Sequence, residues 1–325
     1  MNAELPAGLD EFLEDAGWGG AEVEPLPGDA SFRRYFRVRN GGATALLMDA
    51  PPPHEDPRPF IDVGKWLLHH GLRAPQIHHE HAERGLVLIE DFGVDRMRDW
   101  LDDHPEAEEA TYARAIDALV ALHRRPPGPF APYDMEVYQR EAGLFTEWFC
   151  PLQELAVDEQ GYRAAWEAVL APLLPRQVPG VTVLRDYHAE NIMLLPEGHQ
   201  GIIDFQDALV GHPAYDLVSL LQDARRDVAP ALEGAMLDRY LAQVDAGPEF
   251  EADYARLGAQ RNAKIVGIFA RLWKRDGKPR YLGMIPRVWK AMERDLAHPA
   301  LAPVTEWFAV NIPQHLRASG GGEIR

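Results

Sequence analysis

One stretch of the chain, LRDYHAENIMLLPEGHQGIIDFQDA at residues 184–208, indicates both the fold and the chemistry of the protein. Within it, the apolar segments IMLL and GIIDF flank a Pro-Glu-Gly turn signal and predict a β-hairpin. In a hairpin, the start of the first strand lies beside the end of the second. We therefore expect Asn191 and Asp204 to converge on one spot, with Asp186 nearby because it follows another short strand, VTVL.

These three side chains have the composition of a site for phosphoryl transfer. Two carboxylates and an amide oxygen, without histidine or cysteine, suit a hard cation such as Mg²⁺. In that chemistry one carboxylate orients the attacking hydroxyl, while an asparagine and an aspartate hold the metal. The spacing of Asp186 and Asn191 alone often occurs by chance in solvated loops. The second aspartate, Asp204 at the end of the hairpin, favours the catalytic interpretation.

Other signatures of nucleotide or metal binding are absent from the sequence. The chain contains no GxxxxGK[ST] loop and no GxGxxG motif after a strand, which argues against the P-loop and Rossmann classes. Five histidines between residues 69 and 81 form no HExxH pattern, and we interpret them as part of a surface loop.

The rest of the chain falls into a β-rich beginning and a helical remainder. Strands are expected at residues 31–39 and 43–50, joined by an Asn-Gly-Gly turn, and at 85–90, with one helix at 60–70. Beyond residue 94, long segments with helical spacing of apolar residues include 134–150 and 158–174.

Composition and charge restrict the class of protein. The chain is 46% hydrophobic and 26% charged, which is typical of a folded globular protein. Its net charge of −18 argues against general binding to nucleic acids or anionic membranes. The single cysteine, Cys150, cannot form an internal disulfide, and the acidic N-terminal segment resembles neither a leader nor a membrane span. We expect a cytoplasmic protein without an obligate protein partner.

The segment LRDYHAENIM, followed by IIDFQDALVGHPAYDLVSLLQDARRD, resembles the catalytic core of the aminoglycoside phosphotransferase and choline kinase superfamily. Within that superfamily, the chain is most similar to bacterial anomeric kinases of N-acetylmuramate and N-acetylglucosamine, which serve cell-wall recycling. The segments GDASFRRYFRV, MDAPP and RNAKIVGIFARLWKRDGKPRYL extend the resemblance over most of residues 25–300.

The resemblance implies an α+β, protein-kinase-like fold of two lobes that uses ATP and Mg²⁺. A small, β-rich nucleotide-binding lobe is expected at residues 1–90 and a hinge at 91–93. A larger, mostly helical lobe with the catalytic hairpin is expected at 94–316, followed by a flexible tail at 317–325. The expected ligands are ATP and a small sugar.

Roles for individual residues also follow from the resemblance. Asp186 corresponds to the catalytic base, and Asn191 and Asp204 correspond to the Mg²⁺ ligands. Glu90 and Asp91 begin the hinge, whose backbone groups contact adenine in this superfamily.

Two further residues are expected to support the catalytic loop, Asp216 and His188. Asp216 resembles an aspartate that braces this loop through hydrogen bonds. The alternative for Asp216 is an ordinary carboxylate in the first turn of a helix, where the helix dipole favours negative charge.

The chain departs from its superfamily in the part that holds the ATP phosphates. Members usually carry a lysine on a central strand of the small lobe, but the segment ATALLMDA contains none, and Met48 and Asp49 occupy the neighbourhood. The glycine-rich loop is reduced to GDAS, so that Ser31 and Phe32 are candidate nucleotide contacts there.

Arginines on the first strand are candidates to replace the lysine. Arg33 and Arg37 share one face of this strand and Arg34 takes the other, because side chains alternate along a strand. At least one guanidinium could bind phosphate oxygens in a bidentate manner, and Arg33 and Arg34 are the candidates that we assign to the nucleotide. The alternative is that these arginines face solvent.

Candidates for the acceptor site are Arg225, Arg261 and Asp207. Arg261 and Lys264 belong to a basic face of a helix through residues 260–278. We interpret this face as solvated. The alternative is that it attracts an acidic sugar. Asp207 could hydrogen-bond sugar hydroxyls, and the role of Arg225 is similarly open.

The leading hypothesis is therefore an ATP-dependent kinase that phosphorylates the anomeric hydroxyl of N-acetylmuramate, N-acetylglucosamine or both. A kinase for another hydroxylated metabolite or for an aminoglycoside is a second hypothesis. A catalytically inactive scaffold that binds nucleotide is a third, and the missing lysine is its only support.

Overall fold

The structure, a computed structural model, describes residues 4–27 and 33–323 of the chain. The chain divides into two compact units. The first unit comprises the residues up to Trp100 together with Asn191–Asp207, and the second comprises Leu101–Glu190 and Ala208–Arg325. The lobe boundaries that we expect from the sequence stay predictions.

Secondary structure confirms the expected α+β class. The strands are β1 (Glu22–Pro25), β2 (Arg34–Asn40), β3 (Ala43–Asp49), β4 (Ile77–His81), β5 (Leu86–Glu90), β6 (Val181–Val183), β7 (Ile192–Leu194), β8 (Gln200–Ile202) and β9 (Leu209–Gly211). The helices are α1 (Leu9–Asp15), α2 (Arg58–His69), α3 (Met97–Asp103), α4 (Glu108–His123), α5 (Met135–Leu144), α6 (Cys150–Leu152), α7 (Glu159–Leu170), α8 (Ala214–Leu221), α9 (Pro230–Leu241), α10 (Phe250–Lys274), α11 (Ile285–Leu296), α12 (Ala302–Asn311) and α13 (Gln314–Ala318).

The first unit contains a five-stranded antiparallel sheet in the order β1-β2-β3-β5-β4. The predicted turn between β2 and β3 is confirmed, because Asn40 pairs with Ala43 across the hairpin. Gly41 has a φ angle of 59° in this turn, a conformation that favours glycine. The hairpin fixes which side chains of β2 and β3 share a face.

Helix α1 covers an apolar part of this sheet. Its buried residues Leu9, Phe12 and Leu13 pack with Phe36 on β2 and Leu88 on β5. The sequence analysis did not anticipate α1, β1 or β4. The surface-loop interpretation of the histidines is wrong for four of them, because His69 ends α2 and residues 78, 79 and 81 lie on β4, which pairs with β5.

The predicted hairpin is present as β7 and β8. Ile192 pairs with Ile202 at one end of the hairpin, and Leu194 pairs with Gln200 at the other. Ile202 donates its N–H to the Arg73 carbonyl oxygen at 2.8 Å, which joins the hairpin to the rest of the first unit. The Phe205 ring stacks on the Phe60 ring of α2 with centroids 4.9 Å apart. This aromatic contact holds the segment that carries Asp204.

The second unit is mainly helical and is organised around α10. Most residues of this 25-residue helix are buried, and it packs against α5, α8 and α11. Asp134 caps the N-terminus of α5, because its carboxylate accepts the Val137 N–H at 3.0 Å. The helix continues through a π-helical turn at Phe145–Phe149 into α6. A short antiparallel pair, β6 with β9, lies beside these helices. None of the helices in the described ranges is long and apolar enough to cross a membrane.

Candidate active site

The hairpin of the first unit brings Asn191 and Asp204 together. The Ile203 N–H donates to the Asn191 carbonyl oxygen at 3.0 Å, and the Asn191 amide nitrogen lies 3.5 Å from an Asp204 carboxylate oxygen. Asp204 adopts a φ angle of 59°, an uncommon conformation for a residue with a side chain. Its side chain is 47% exposed. Pairing of β7 and β8 thus sets the Asn191 amide group and the Asp204 carboxylate beside one another.

This pair fits Mg²⁺ as a site of few protein ligands. Both side chains supply oxygen, the donor that Mg²⁺ prefers, and Mg²⁺ commonly takes its other ligands from water and phosphate. Gln206 donates to the other Asp204 oxygen at 2.9 Å and orients the carboxylate. Across residues 4–27 and 33–323, no group of three or more His, Cys, Asp or Glu side chains is arranged to hold a metal ion. The hairpin itself thus offers two oxygen-bearing side chains, Asn191 and Asp204.

Arg33, the residue before β2, and Arg34, the first residue of β2, have different partners. The Arg33 guanidinium lies 3.9 Å from Asp204 and 3.8 Å from Glu55. Arg34 instead donates twice to the buried Asp49 on β3, at 2.8 and 2.5 Å. The candidates Ser31 and Phe32 lie outside the residues that the structure describes.

Strand β3 supplies no cation to this region. Met48 is fully buried, and the Asp49 carboxylate is taken up by Arg34. The structure thus places an acid and a thioether where the sequence resemblance would place a lysine.

The expected hinge residues both have ion-paired side chains within the first unit. Glu90 accepts two hydrogen bonds from Arg73, at 2.7 and 2.6 Å, and Asp91 accepts from Arg37 at 2.7 Å. The Glu90 N–H donates to the Gln76 carbonyl oxygen at 2.8 Å. A backbone contact to adenine through an N–H group would therefore come from a different residue of this segment.

In the second unit, the backbone before Asp186 is held by α8. Asp216 accepts the N–H of Leu184 at 2.7 Å and the N–H of Arg185 at 2.9 Å. Ser219, one turn further along α8, donates to the Arg185 carbonyl oxygen at 3.2 Å. Arg185 has a φ angle of 71°, so these contacts stabilise a conformation that costs energy in a residue with a side chain.

Burial raises the pKa of Asp216 to about 7, although the two backbone N–H groups oppose the shift. In either protonation state its oxygens can accept a backbone hydrogen bond. The hydrogen bonds to Leu184 and Arg185 are those of a brace, and they go beyond the dipole interaction of an ordinary first-turn carboxylate.

Positive charges lie around Asp186 within the second unit. An Arg261 nitrogen lies 4.0 Å from an Asp186 carboxylate oxygen, and Arg261 also donates to the Ser219 hydroxyl at 2.7 Å. Burial opposes the charged form of Asp186, but Lys264, Arg261 and Arg185 outweigh it and hold its pKa below the usual value. The Asp186 side chain is nevertheless 41% exposed, so that a ligand can reach it.

The solvated-face interpretation of α10 is wrong for Arg261 and Lys264. These residues are only 3% and 9% exposed, because their side of α10 packs against α5 and α8. Lys264 donates to Glu141 at 2.9 Å and to the Tyr215 hydroxyl at 3.2 Å. Farther along the same basic face, Arg275 is exposed. The basic face therefore divides into a buried part near Asp186 and a solvated end.

The sequence analysis missed Glu141, a buried carboxylate of α5. It accepts hydrogen bonds from Tyr133, Arg185 and Lys264. Burial raises its pKa, but Lys264 and Arg185 outweigh burial and lower the pKa overall. A signal existed in the sequence, since Glu141 lies on the apolar stripe of α5 between Tyr138 and Phe145.

Of the remaining candidates, Arg225 and His188 lie in the second unit and Asp207 lies in the first. Arg225 pairs with Glu190 at 2.9 Å and contacts the ring of the buried His188 at 3.2 Å. Burial lowers the pKa of His188 to about 4, so the ring is neutral near pH 7. Asp207, in the first unit, is exposed. The substrate roles of Arg225, Arg261 and Asp207 stay predictions.

Comparison with known proteins gives a consistent result. A family model described as "Phosphotransferase enzyme family" matches residues 22–258. Two curated proteins named N-acetylmuramate/N-acetylglucosamine kinase match almost end to end. The protein from Pseudomonas aeruginosa is 38% identical, over 98% of this chain and 97% of its own length. The protein from Caulobacter vibrioides is 36% identical, over 98% of this chain and 99% of its own length.

Solved structures show the same fold at low sequence identity. Choline kinase LicA from Streptococcus pneumoniae aligns with a TM-score of 0.64 and 13% identity, over 89% of this chain and all of its own. The ADP-bound aminoglycoside phosphotransferase APH(2'')-Ib aligns with a TM-score of 0.59 and 14% identity, over 89% of this chain and 97% of its own. These alignments confirm the expected kinase-like fold.

Proposed function

Because this chain belongs to the phosphotransferase enzyme family, we propose that it transfers the γ-phosphate of ATP to the anomeric C1 hydroxyl of N-acetylmuramate, N-acetylglucosamine or both. The observation that carries the proposal is the end-to-end match, at 36–38% identity, to two proteins named for these substrates. The structural neighbours share only 13–14% identity and support the fold alone.

Asp186 is the proposed catalytic residue. The C1 hydroxyl oxygen forms a bond to the γ-phosphorus while the bond from that phosphorus to the β,γ-bridging oxygen of ATP breaks. The hydroxyl proton passes to the Asp186 carboxylate, and ADP leaves. The lowered pKa keeps Asp186 ionised at neutral pH, so it can accept the hydroxyl proton and orient the oxygen.

The chain's own residues perform the remaining tasks in this proposal. Asn191 and Asp204 would hold Mg²⁺, which neutralises phosphate charge when it is bound. Asp216 and Ser219 keep the backbone before Asp186 in place through their hydrogen bonds to Arg185. Arg261 and Lys264 supply positive charge around Asp186 from the buried side.

The test is ADP release with Mg-ATP and a panel of N-acetylmuramate, N-acetylglucosamine, glucose, choline and kanamycin, followed by ³¹P NMR of the product. We expect turnover with an N-acetyl sugar and a phosphate signal coupled to the anomeric proton. The matched comparison is the same sugar as its 1-O-methyl glycoside, which lacks the C1 hydroxyl and should give no turnover. Turnover of the glycoside would contradict transfer to C1, and turnover of choline or kanamycin alone would contradict the sugar assignment.

A further inference from the structure

The first unit lacks the lysine that usually contacts phosphates in kinases, so the source of positive charge for the nucleotide has to be found elsewhere. In protein kinases a lysine on the third strand of the small sheet serves this purpose and pairs with a glutamate of a nearby helix. Here β3 offers Met48, which is buried, and Asp49, which is neutralised by Arg34. A cation from a neighbouring part of the sheet is required.

Three arginines at the start of the sheet are the candidates, and their partners separate them. Arg34 forms an ion pair with Asp49 and also donates to the Glu4 carbonyl oxygen at 2.8 Å. Arg37 makes a two-point contact with Asp91, at 2.7 and 3.3 Å. Only Arg33 among these three is within 4.0 Å of a carboxylate of the proposed metal pair.

The surroundings of Arg33 are those of a residue held beside a phosphate site. Its guanidinium lies 3.8 Å from Glu55, just before α2, and 3.9 Å from Asp204, the proposed Mg²⁺ ligand. The Arg33 side chain is 14% exposed, which limits its conformations while leaving part of it accessible. A guanidinium has five N–H donors in a planar fork, so it can keep a contact with Glu55 and still donate to a phosphate oxygen.

We propose that Arg33 binds the phosphates of the nucleotide and that Glu55 positions it, so that this ion pair takes the place of the lysine and glutamate pair of other kinases. The assignment rests on the proposed function, because it assumes that the chain uses ATP. Mg²⁺ in kinases bridges phosphate oxygens, so a cation beside Asp204 lies where phosphate charge accumulates. The positive charge is thus supplied from the residue before β2, and β3 is free to carry apolar and acidic residues.

The experiment measures nucleotide affinity by titration calorimetry in the absence of sugar, on the full-length chain. Arg33→Met should raise the Kd for Mg-ATP and Mg-ADP by about 10- to 100-fold, the range for loss of a charge-assisted contact, and leave the Kd for adenosine unchanged. Arg33→Lys should recover part of the affinity, because it restores the charge without the fork. Glu55→Gln should weaken ATP binding by about three- to tenfold.

Arg39→Met is the matched control, since Arg39 lies on β2 and pairs with the exposed Glu24 at 2.7 Å. It should bind every nucleotide as the unchanged chain does. The proposal is overturned if Arg33→Met binds Mg-ATP normally, or if it loses adenosine as severely as ATP. Choosing the wrong sugar leaves these affinities intact, so an error in the acceptor and an error in the Arg33 assignment give different results.

Discussion

The two carboxylates of the proposed reaction have contrasting environments. Asp186, in the second unit, has Lys264, Arg261 and Arg185 around it, and these positive groups are fixed by α8, α10 and a buried glutamate of α5. Asp204, in the first unit, follows a three-residue strand and has one arginine 3.9 Å away. The proposed base thus lies among fixed positive groups, whereas the proposed metal ligand is half-exposed beside Arg33. Variants in the two units should therefore fail in different ways.

The largest expected effect comes from Asp186→Asn, which keeps the shape and removes the proton acceptor. We expect kcat to fall by about 10³-fold, within the range for general base catalysis. The Kd for Mg-ATP should change by less than about threefold, because the substituted group contacts the attacking hydroxyl in the proposed mechanism. The comparison is made by ADP release and by calorimetry on the same preparation. A variant that retained more than about a tenth of the original kcat would show that Asp186 is not the base.

Removal of the Lys264 charge should have the next largest effect. Lys264→Met retains the length of the side chain, and Glu141 keeps its contacts with Arg185 and Tyr133. Because Lys264 is the strongest positive influence on Asp186, its loss should raise the Asp186 pKa, and on the acid limb of the pH profile kcat should fall by about 10- to 100-fold. The acid limb of the pH profile of kcat should move to higher pH.

Glu141→Gln provides the opposite change, since it removes a negative charge from the same network. It should move the acid limb to lower pH, which a general loss of packing would not do. Lys274→Met is the matched control, because it makes the same substitution at an exposed position of α10. Acid limbs that move in the same direction in Lys264→Met and Glu141→Gln would rule out an electrostatic role for this network.

The same contrast shows what the sequence could predict. The β7–β8 hairpin brought Asn191 and Asp204 together as expected, because a short hairpin is a local structure specified by its turn and its apolar residues. The burial of Arg261 and Lys264 could not be predicted from local sequence. Their spacing on α10 indicates a shared face, but it cannot tell whether solvent or another helix covers that face.

Glu55 illustrates the same limit for the first unit. Nothing in its local sequence separates it from the other acidic residue of the segment HEDPR, Asp56. Its distance of 3.8 Å from Arg33 depends on the return of the chain after β3, a contact between residues 22 positions apart. The fold class was therefore predictable from local patterns and family resemblance, while the ion pair of Arg33 with Glu55 required the structure.

Glycine substitutions in one helix of each unit test whether the surroundings of Asp186 are packed more tightly than those of Asp204. On α10, a Cβ atom at Gly267 would lie 2.3 Å from the carbonyl carbon and oxygen of Leu144. Backbone atoms of α5 cannot move away without disturbing the helix that carries Glu141. We expect Gly267→Ala to lower the free energy of unfolding by about 3 kcal/mol, the upper range for overpacking, as measured by urea denaturation. A loss below about 0.5 kcal/mol would show that α10 is less constrained than its contacts indicate.

The smallest effect is expected for Gly64→Ala on α2, the helix against which Phe205 packs. A Cβ atom there would lie 3.4 Å from the Phe205 ring and 3.6 Å from Ile77, which are ordinary contact distances. Alanine is also favoured over glycine within a helix by about 0.5–1 kcal/mol. We therefore expect a gain of about 0.5 kcal/mol in urea denaturation, with kcat and the Kd for Mg-ATP unchanged. A loss of more than about 1 kcal/mol would mean that the segment bearing Asp204 is packed as rigidly as the surroundings of Asp186. The two carboxylates would then differ only in the charges around them.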